Sequence, residues 1–283
     1  MEKITLLKYS NTNTYLVEGD MGSVLFDTGW AGTFQNFCSE LGRNGKQLKN
    51  IEYILISHFH PDHYGIAQEI ADKGPVILAA DVQKDYLHAS DPVFEKDKKI
   101  KFYPIRDDKV RIIPLEESRK VLSEIGISGE LLYTPGHSDD SISLWLDKGD
   151  LVVGDLNPLY ELELHRGTEI EQSWNKLMAL NPRTVYYGHA KTAVLGQPDD
   201  QYSSDYAYRK DMGTKSDSNS DYSKWYNLVS AIMKYIDKGW TLDRIARKTG
   251  ADSEFVETVT RMYLTHTNVG VQGILDRIEI KNK

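Results

Sequence analysis

Three imidazoles and a carboxylate fall within six positions in His58-Phe59-His60-Pro61-Asp62-His63, directly after the apolar run Ile51–Ile56. The run reads as a buried strand. Alternate side chains of an extended chain face the same way, so His58 and His60 point together. Pro61 keeps His60 out of helical geometry. From His63 to Ala71 the pattern turns helical. Asp62 and His63 then sit at a helix N-terminus, aimed differently from the first pair. Such a strand-end loop offers two adjacent pockets of nitrogen and oxygen ligands, the set favoured by zinc and its neighbours. A lone histidine is ordinarily a surface or hydrogen-bonded residue. Here three of the chain's eight histidines meet at one loop, which reads as a metal site.

A His-x-His-x-Asp-His run after a strand resembles the signature of the metallo-β-lactamase superfamily. In that family an early strand ends in Asp-Thr-Gly, and Leu25-Phe26-Asp27-Thr28-Gly29 is similar. A later Gly-His turn is matched by Thr134-Pro135-Gly136-His137, and a carboxylate ending an apolar strand by Leu151-Val152-Val153-Gly154-Asp155. A last Gly-His is matched by Val185-Tyr186-Tyr187-Gly188-His189, so the resemblance covers roughly residues 1–195.

The resemblance implies an α/β fold, the four-layer αββα sandwich of that family, and a binuclear site. His58, His60 and His137 correspond to the ligands of one metal, and Asp62, His63 and His189 to those of a second. Asp155 corresponds to the bridging carboxylate and Asp27 to an acceptor that orients a histidine from behind. The implied cofactors are two divalent ions, zinc first, with iron or manganese as alternatives. Such ions lower the pKa of water from ~15.7 to about 7 and polarise a carbonyl or phosphoryl oxygen. No serine or cysteine nucleophile is then needed, and Asp62 takes a catalytic role in orienting the nucleophile. Tyr160, His165 and Arg166 follow Asp155 where the family often contacts substrate. His88 and His266 read as surface or packing residues.

Departures narrow the branch. Cysteine-ligand β-lactamases need Cys at Asp155, and flavodiiron proteins carry Glu at His60. The cap-domain nucleases need more chain between the last motifs. The expected activity is hydrolysis of a small-molecule ester, thioester or lactone by a metal-bridging hydroxide. The alternatives are a phosphodiesterase or endoribonuclease, a mononuclear iron persulfide dioxygenase, and a metal- or ligand-sensing regulator with a DNA-binding tail.

Strand-like runs are expected at Ile4–Lys8, Thr14–Glu18, Val24–Asp27, Val76–Ala79, Glu130–Thr134, Ser141–Leu146, Leu151–Val153 and Arg183–Tyr187. Helices are expected at Thr33–Arg43, Asp81–Leu87, Glu116–Ile125 and Glu169–Leu180. The charged stretch Ser90–Asp108 reads as an irregular loop over the site. The expected organisation is a catalytic domain over residues 1–198, a linker over 199–221 and a helical domain over 222–283. In the last, Thr249-Gly250-Ala251-Asp252 reads as a C-cap glycine followed by an N-cap aspartate, joining two helices in a helix-turn-helix-like pair. From residue 199 on there are 13 acidic and 13 basic side chains. A neutral tail supplies few phosphate contacts. Packing, homodimerisation or covering the site is therefore preferred to nucleic-acid binding. The net charge of −8 points the same way. Cys38 is the only cysteine, no signal-peptide pattern opens the chain and no run approaches the ~18 apolar residues of a membrane span, so a cytoplasmic protein is expected.

Overall fold

In the computed structural model, residues 2–95, 100–195, 219–237, 240–265 and 274 are described. The chain divides into two compact units, Met1–Arg209 and Lys210–Lys283.

The first unit is built on two sheets. One has six strands in chain order: β1 (Lys3–Leu7), β2 (Thr14–Glu18), β3 (Ser23–Phe26), β4 (Ile51–Leu55), β5 (Val76–Ala80) and β6 (Val110–Ile113). The other has five: β7 (Gly129–Tyr133), β8 (Ile142–Leu146), β9 (Asp150–Val152), β10 (Thr184–Tyr186) and β11 (Ala193–Val194), ordered β11-β10-β9-β8-β7. Alternation along each strand sends one set of side chains between the sheets. Val24, Phe26, Leu55 and Leu78 meet Leu131, Ile142, Leu144 and Val152 there. The opposite set, Leu25, Ile54 and Ile77, packs beneath Phe37 and Leu41 of helix α1 (Phe34–Arg43) and Ile70 of α3 (Ala67–Ala71). On the far side Leu151, Val153 and Val185 pack beneath Trp174 and Leu177 of α6 (Glu169–Met178). Helix, sheet, sheet, helix is the expected αββα sandwich. Buried on both faces, Val24–Phe26 of β3, Ile54–Leu55 of β4 and all of β5 read as apolar runs, with the exposed Glu52 interrupting β4 near its start.

Some expectations need correction. The helix read over His63–Ala71 is two, α2 (Pro61–Tyr64) and α3, because Gly65 donates its N–H to Gly29 O at 2.9 Å. The backbone at Ala31 lies so close that a Cβ on Gly65 would sit 2.2 Å from Ala31 N. Asp81–Tyr86 is a 3-10 helix, and α5 (Ser118–Ser123) is preceded by another at Leu115–Glu117. The Ser90–Asp108 stretch carries the short helix α4 (Asp91–Glu95), whose Phe94 joins Trp30, Tyr64 and Phe102 in an aromatic cluster.

The second unit holds three helices among its described residues: α7 (Asn219–Asp237), α8 (Leu242–Thr249) and α9 (Ser253–Thr265). Val229, Ile232, Ile245, Val256 and Val259 form its core. Gly250 closes α8 in the left-handed region, φ +71°, and Asp252 Oδ1 accepts the N–H of Phe255 at 3.4 Å. The linker residues 199–218 and His266 lie outside the described residues. Among the described residues no helix is long and apolar enough to cross a membrane.

Candidate metal centre

Four connections at one end of the sandwich deliver the polar cluster. β4 runs out through Ser57 into His58, Phe59 and His60, with His60 extended at φ −77°, ψ 150° as a residue before proline must be. Phe59 turns into the apolar core between the two imidazoles, and its N–H is held by Asp140 Oδ2 at 2.7 Å. Pro61 then opens α2 at the first helical position, where a missing N–H costs nothing. The first turn of α2 presents Asp62 and His63. His137 comes from the β7–β8 connection, Asp155 from the turn after β9 and His189 from the turn after β10.

The ligand atoms converge. His58 Nε2 and His137 Nε2 lie 2.9 and 3.1 Å from His60 Nδ1. His189 Nε2 lies 3.0 Å from Asp62 Oδ2. Asp155 Oδ2 sits between the two sets, 3.2 Å from His63 Nε2, 3.4 Å from His189 Nε2 and 3.6 Å from His137 Nε2. Three triads have all their ligand atoms within 4.8 Å of one another: His58–His60–His137, His58–His63–Asp155 and Asp62–His63–His189. All seven residues singled out from the sequence therefore meet in one cluster. Among the described residues the buried His63 Nε2 and Asp155 Oδ1 have no hydrogen-bond partner, a costly condition unless a cation meets them. An imidazole and carboxylate donor set of this size fits zinc and its neighbours.

The far sides of the rings are pinned. Asp27, in the left-handed region at φ +63°, accepts the Ser57 N–H on Oδ1 at 2.7 Å. Its Oδ2 accepts the Ser57 hydroxyl at 3.0 Å and lies 2.8 Å from His63 Nδ1. His189 Nδ1 faces Asn11 O at 3.2 Å. Thr12 donates its hydroxyl to the Asp62 carbonyl at 2.7 Å.

His165 is in the 3-10 turn Leu159–His165, 4.0 Å from Glu161, and joins none of the three triads. Arg166 follows it, exposed. Tyr160 lies on the same turn, and its side chain is outside the described set. His88 bridges Asp91 and Asp107 at the surface, in keeping with the surface reading. Sequence reasoning missed Ser57, Thr12, Asp140 and Gln83, whose amide donates to Ile56 O at 2.9 Å and Asp140 O at 3.1 Å. Their roles come from burial at loop junctions, which spacing does not encode.

Charge and burial set the protonation of the metal-free cluster. Burial and the neighbouring His63 hold His58 well below its usual range, leaving a neutral ligand. Burial opposes a charge on His63, but the Asp155 and Asp27 carboxylates outweigh it and raise its pKa well above 6.5. Burial likewise opposes charge on Asp155, and His63 overcomes it, pulling that carboxyl far below its usual range. The His63 contribution to metal-free stability is thus fully present below about 6.5 and lost as pH rises through the raised value. A ligand imidazole must be neutral, so metal uptake displaces that proton. Zinc affinity is expected to tighten from pH 6 to pH 8, with proton release visible as a buffer-dependent calorimetric heat. A flat affinity would show that His63 meets the ion already neutral.

Gly188 packs against this cluster: a Cβ there would lie 2.5 Å from Asp155 Oδ1 and 3.1 Å from His63 Cε1. Gly188→Ala is expected to weaken metal binding about 10–100-fold by displacing the Asp155 carboxylate, as changes beside metal ligands do. Chelator competition measures it.

Comparison with known proteins accords with the geometry. The family profile described as "Metallo-beta-lactamase superfamily" matches residues 8–189. The "Beta-lactamase-like protein 2 homolog" of Caenorhabditis elegans is 28% identical over 187 residues, 63% of this chain and 55% of that protein. A "Probable metallo-hydrolase", MJ0888 of Methanocaldococcus jannaschii, is 31% identical over 147 residues, 51% of this chain and 66% of that protein. The chain thus spans less than two thirds of the length of either curated relative. Among solved structures, metallo-beta-lactamase family protein TTHA1429 from Thermus thermophilus shares the fold, with TM-score 0.51, 20% identity and coverage of 81% of this chain and 82% of its own.

Proposed function

The chain belongs to the metallo-β-lactamase superfamily, and from that membership we propose that it is a metal-dependent hydrolase acting on a small-molecule ester, thioester or lactone. The observation that supports this best is Asp155 Oδ2, set 3.2–3.6 Å from imidazole nitrogens of three separate loops. His58, His60 and His137 would hold one divalent ion, Asp62, His63 and His189 a second, and Asp155 would be shared. Bound ions of this kind supply a hydroxide nucleophile near neutral pH and polarise the carbonyl under attack. The chain's own residues prepare the ground. Asp27 holds the Nδ1 side of His63 so that Nε2 stays free for an ion. Asp62, steadied by Thr12 and His189, orients the attacking water by accepting its hydrogen bond. Zinc is the first choice for these donors, and iron or manganese fit them too. Tyr160, His165 and Arg166 are proposed to face the substrate, and the helical unit to serve packing, homodimerisation or coverage of the site.

The test is turnover by zinc-, manganese- and iron-loaded protein on an activated carboxyl ester, a thioester, a lactone and an activated phosphodiester, with Asp155→Ala as blank. Acyl turnover well above the blank supports the reading. Preference for the phosphodiester overturns it in favour of cleavage of RNA or a nucleotide. Iron-dependent oxidation of a persulfide would make the chain a dioxygenase, and metal-dependent DNA binding without turnover would make it a regulator.

A further inference from the structure

The Ser57 hydroxyl occupies an unusual place: one oxygen lies 3.0 Å from His58 Nδ1, 3.2 Å from His63 Nδ1 and 3.0 Å from Asp27 Oδ2. His58 falls in one triad with His60 and His137, His63 in another with Asp62 and His189, and a third triad joins the two rings to Asp155. We propose that Ser57 is a positioning residue that fixes the tautomer of His58 and so extends the reach of the single Asp27 carboxylate from one metal half-site to both. The inference rests on the binuclear reading above.

The protons at this junction can be counted. A hydroxyl carries one proton and two lone pairs, and a carboxylate only accepts. Asp27 Oδ2 receives the Ser57 proton, so the hydroxyl has none left for an imidazole. His58 must therefore donate from Nδ1 into the serine lone pair, which leaves the Nε2 lone pair facing His60 and His137. His63 needs no such relay, because its Nδ1 reaches Asp27 Oδ2 directly at 2.8 Å. Both rings are fully buried, and no solvent competes for these bonds. The chain also makes room for the serine. Gly154, at φ +57°, passes so close that a Cβ there would lie 2.5 Å from Ser57 Oγ.

Loss of the hydroxyl strands the His58 Nδ1 proton and lets the ring take the other tautomer. The His58–His60–His137 half-site then weakens, while Asp62–His63–His189 keeps its anchor. The expected loss for the first half-site is about 10–100-fold in affinity, the range seen when the group behind a ligand histidine is removed.

The experiment is zinc titration against a graded chelator for the full chain and for Ser57→Ala and Ser57→Thr, with 15N-histidine spectra of the metal-free proteins to read each ring's tautomer. Expected results are two ions in the parent, selective weakening of one in Ser57→Ala, an altered tautomer signature for His58 alone, and recovery of both in Ser57→Thr. If Ser57→Ala binds both ions as the parent does, or weakens both equally with an unchanged His58 signature, the relay is wrong. A parent chain that never binds a second ion would instead overturn the binuclear reading itself. Should Ser57→Thr clash with Gly154 and misfold, the parent-to-alanine difference in the His58 signature still decides.

Discussion

Asp155→Ala is expected to bind one divalent ion fewer than the parent and to lose at least about a thousand-fold in kcat/KM. Lewis-acid stabilisation by a bound ion is worth several kcal/mol, and each 1.36 kcal/mol is about tenfold in rate. Among the described residues, Asp155 is the one carboxylate whose oxygen stands within 3.6 Å of histidines from three loops. Its removal also leaves the His63 charge in a buried position with Asp27 at 2.8 Å and Asp62 at 3.9 Å as its remaining carboxylate partners. The fold itself should survive, because Asp155 belongs to none of the apolar clusters. Metal content by elemental analysis, kcat/KM and the circular dichroism of the metal-free chain separate the effects. Parent-like metal content and turnover would rule out a shared carboxylate.

Gly154→Ala should damage the fold as well as the site. A left-handed residue with a side chain costs about 1–2 kcal/mol, and φ at Gly154 is +57°. The new Cβ would also sit 2.4 Å from Ser57 Cβ, and relieving such overpacking costs about 1–3 kcal/mol more. Together these give about 2–5 kcal/mol, or roughly 5–15 °C in Tm for a domain of this size. Gly45 is the control. Its φ is +68° but a Cβ there meets nothing within 4 Å, so Gly45→Ala should show the backbone cost alone. Equal melting temperatures for the two variants would show that Ser57 yields freely.

The parts of the fold that were legible in the sequence were those where burial on both faces writes a continuous apolar run. β5 stands out for that reason, as does the inner end of β4 from Ile54; at Gly250 it was turn chemistry that could be read. β6 was not read. Its Arg111 and Ile112 are both exposed, so this edge strand carries no clean alternation. β11 has two residues, too few for any pattern. The break between α2 and α3 was invisible because it is imposed by a distant backbone, at Gly29 and Ala31. At the site, the spacing of residues 58–63 was informative because two registers, a strand's and a helix's, meet at Pro61. The other three ligand candidates were readable through a family resemblance. Ser57 directly precedes the His58–His63 motif and Asp140 lies three positions after His137, yet an adjacent serine or aspartate in a sequence says nothing about which ring or amide it will meet.

The seam between the first hairpin and the last loop carries a consequence for synthesis. Asn13 donates its side-chain amide to Tyr187 O and Ala190 O, both at 3.0 Å, and Tyr15 donates its hydroxyl to Tyr187 O at 2.8 Å. The domain is thus closed by contacts between segments more than 170 residues apart. His189 lies at this clasp, 126 positions after His63. At about 5–20 residues per second, a ribosome delivers it roughly 6–25 s later. Until then the emerging chain holds its first histidines without the last, and the ion we propose at Asp62, His63 and His189 would mark a finished domain.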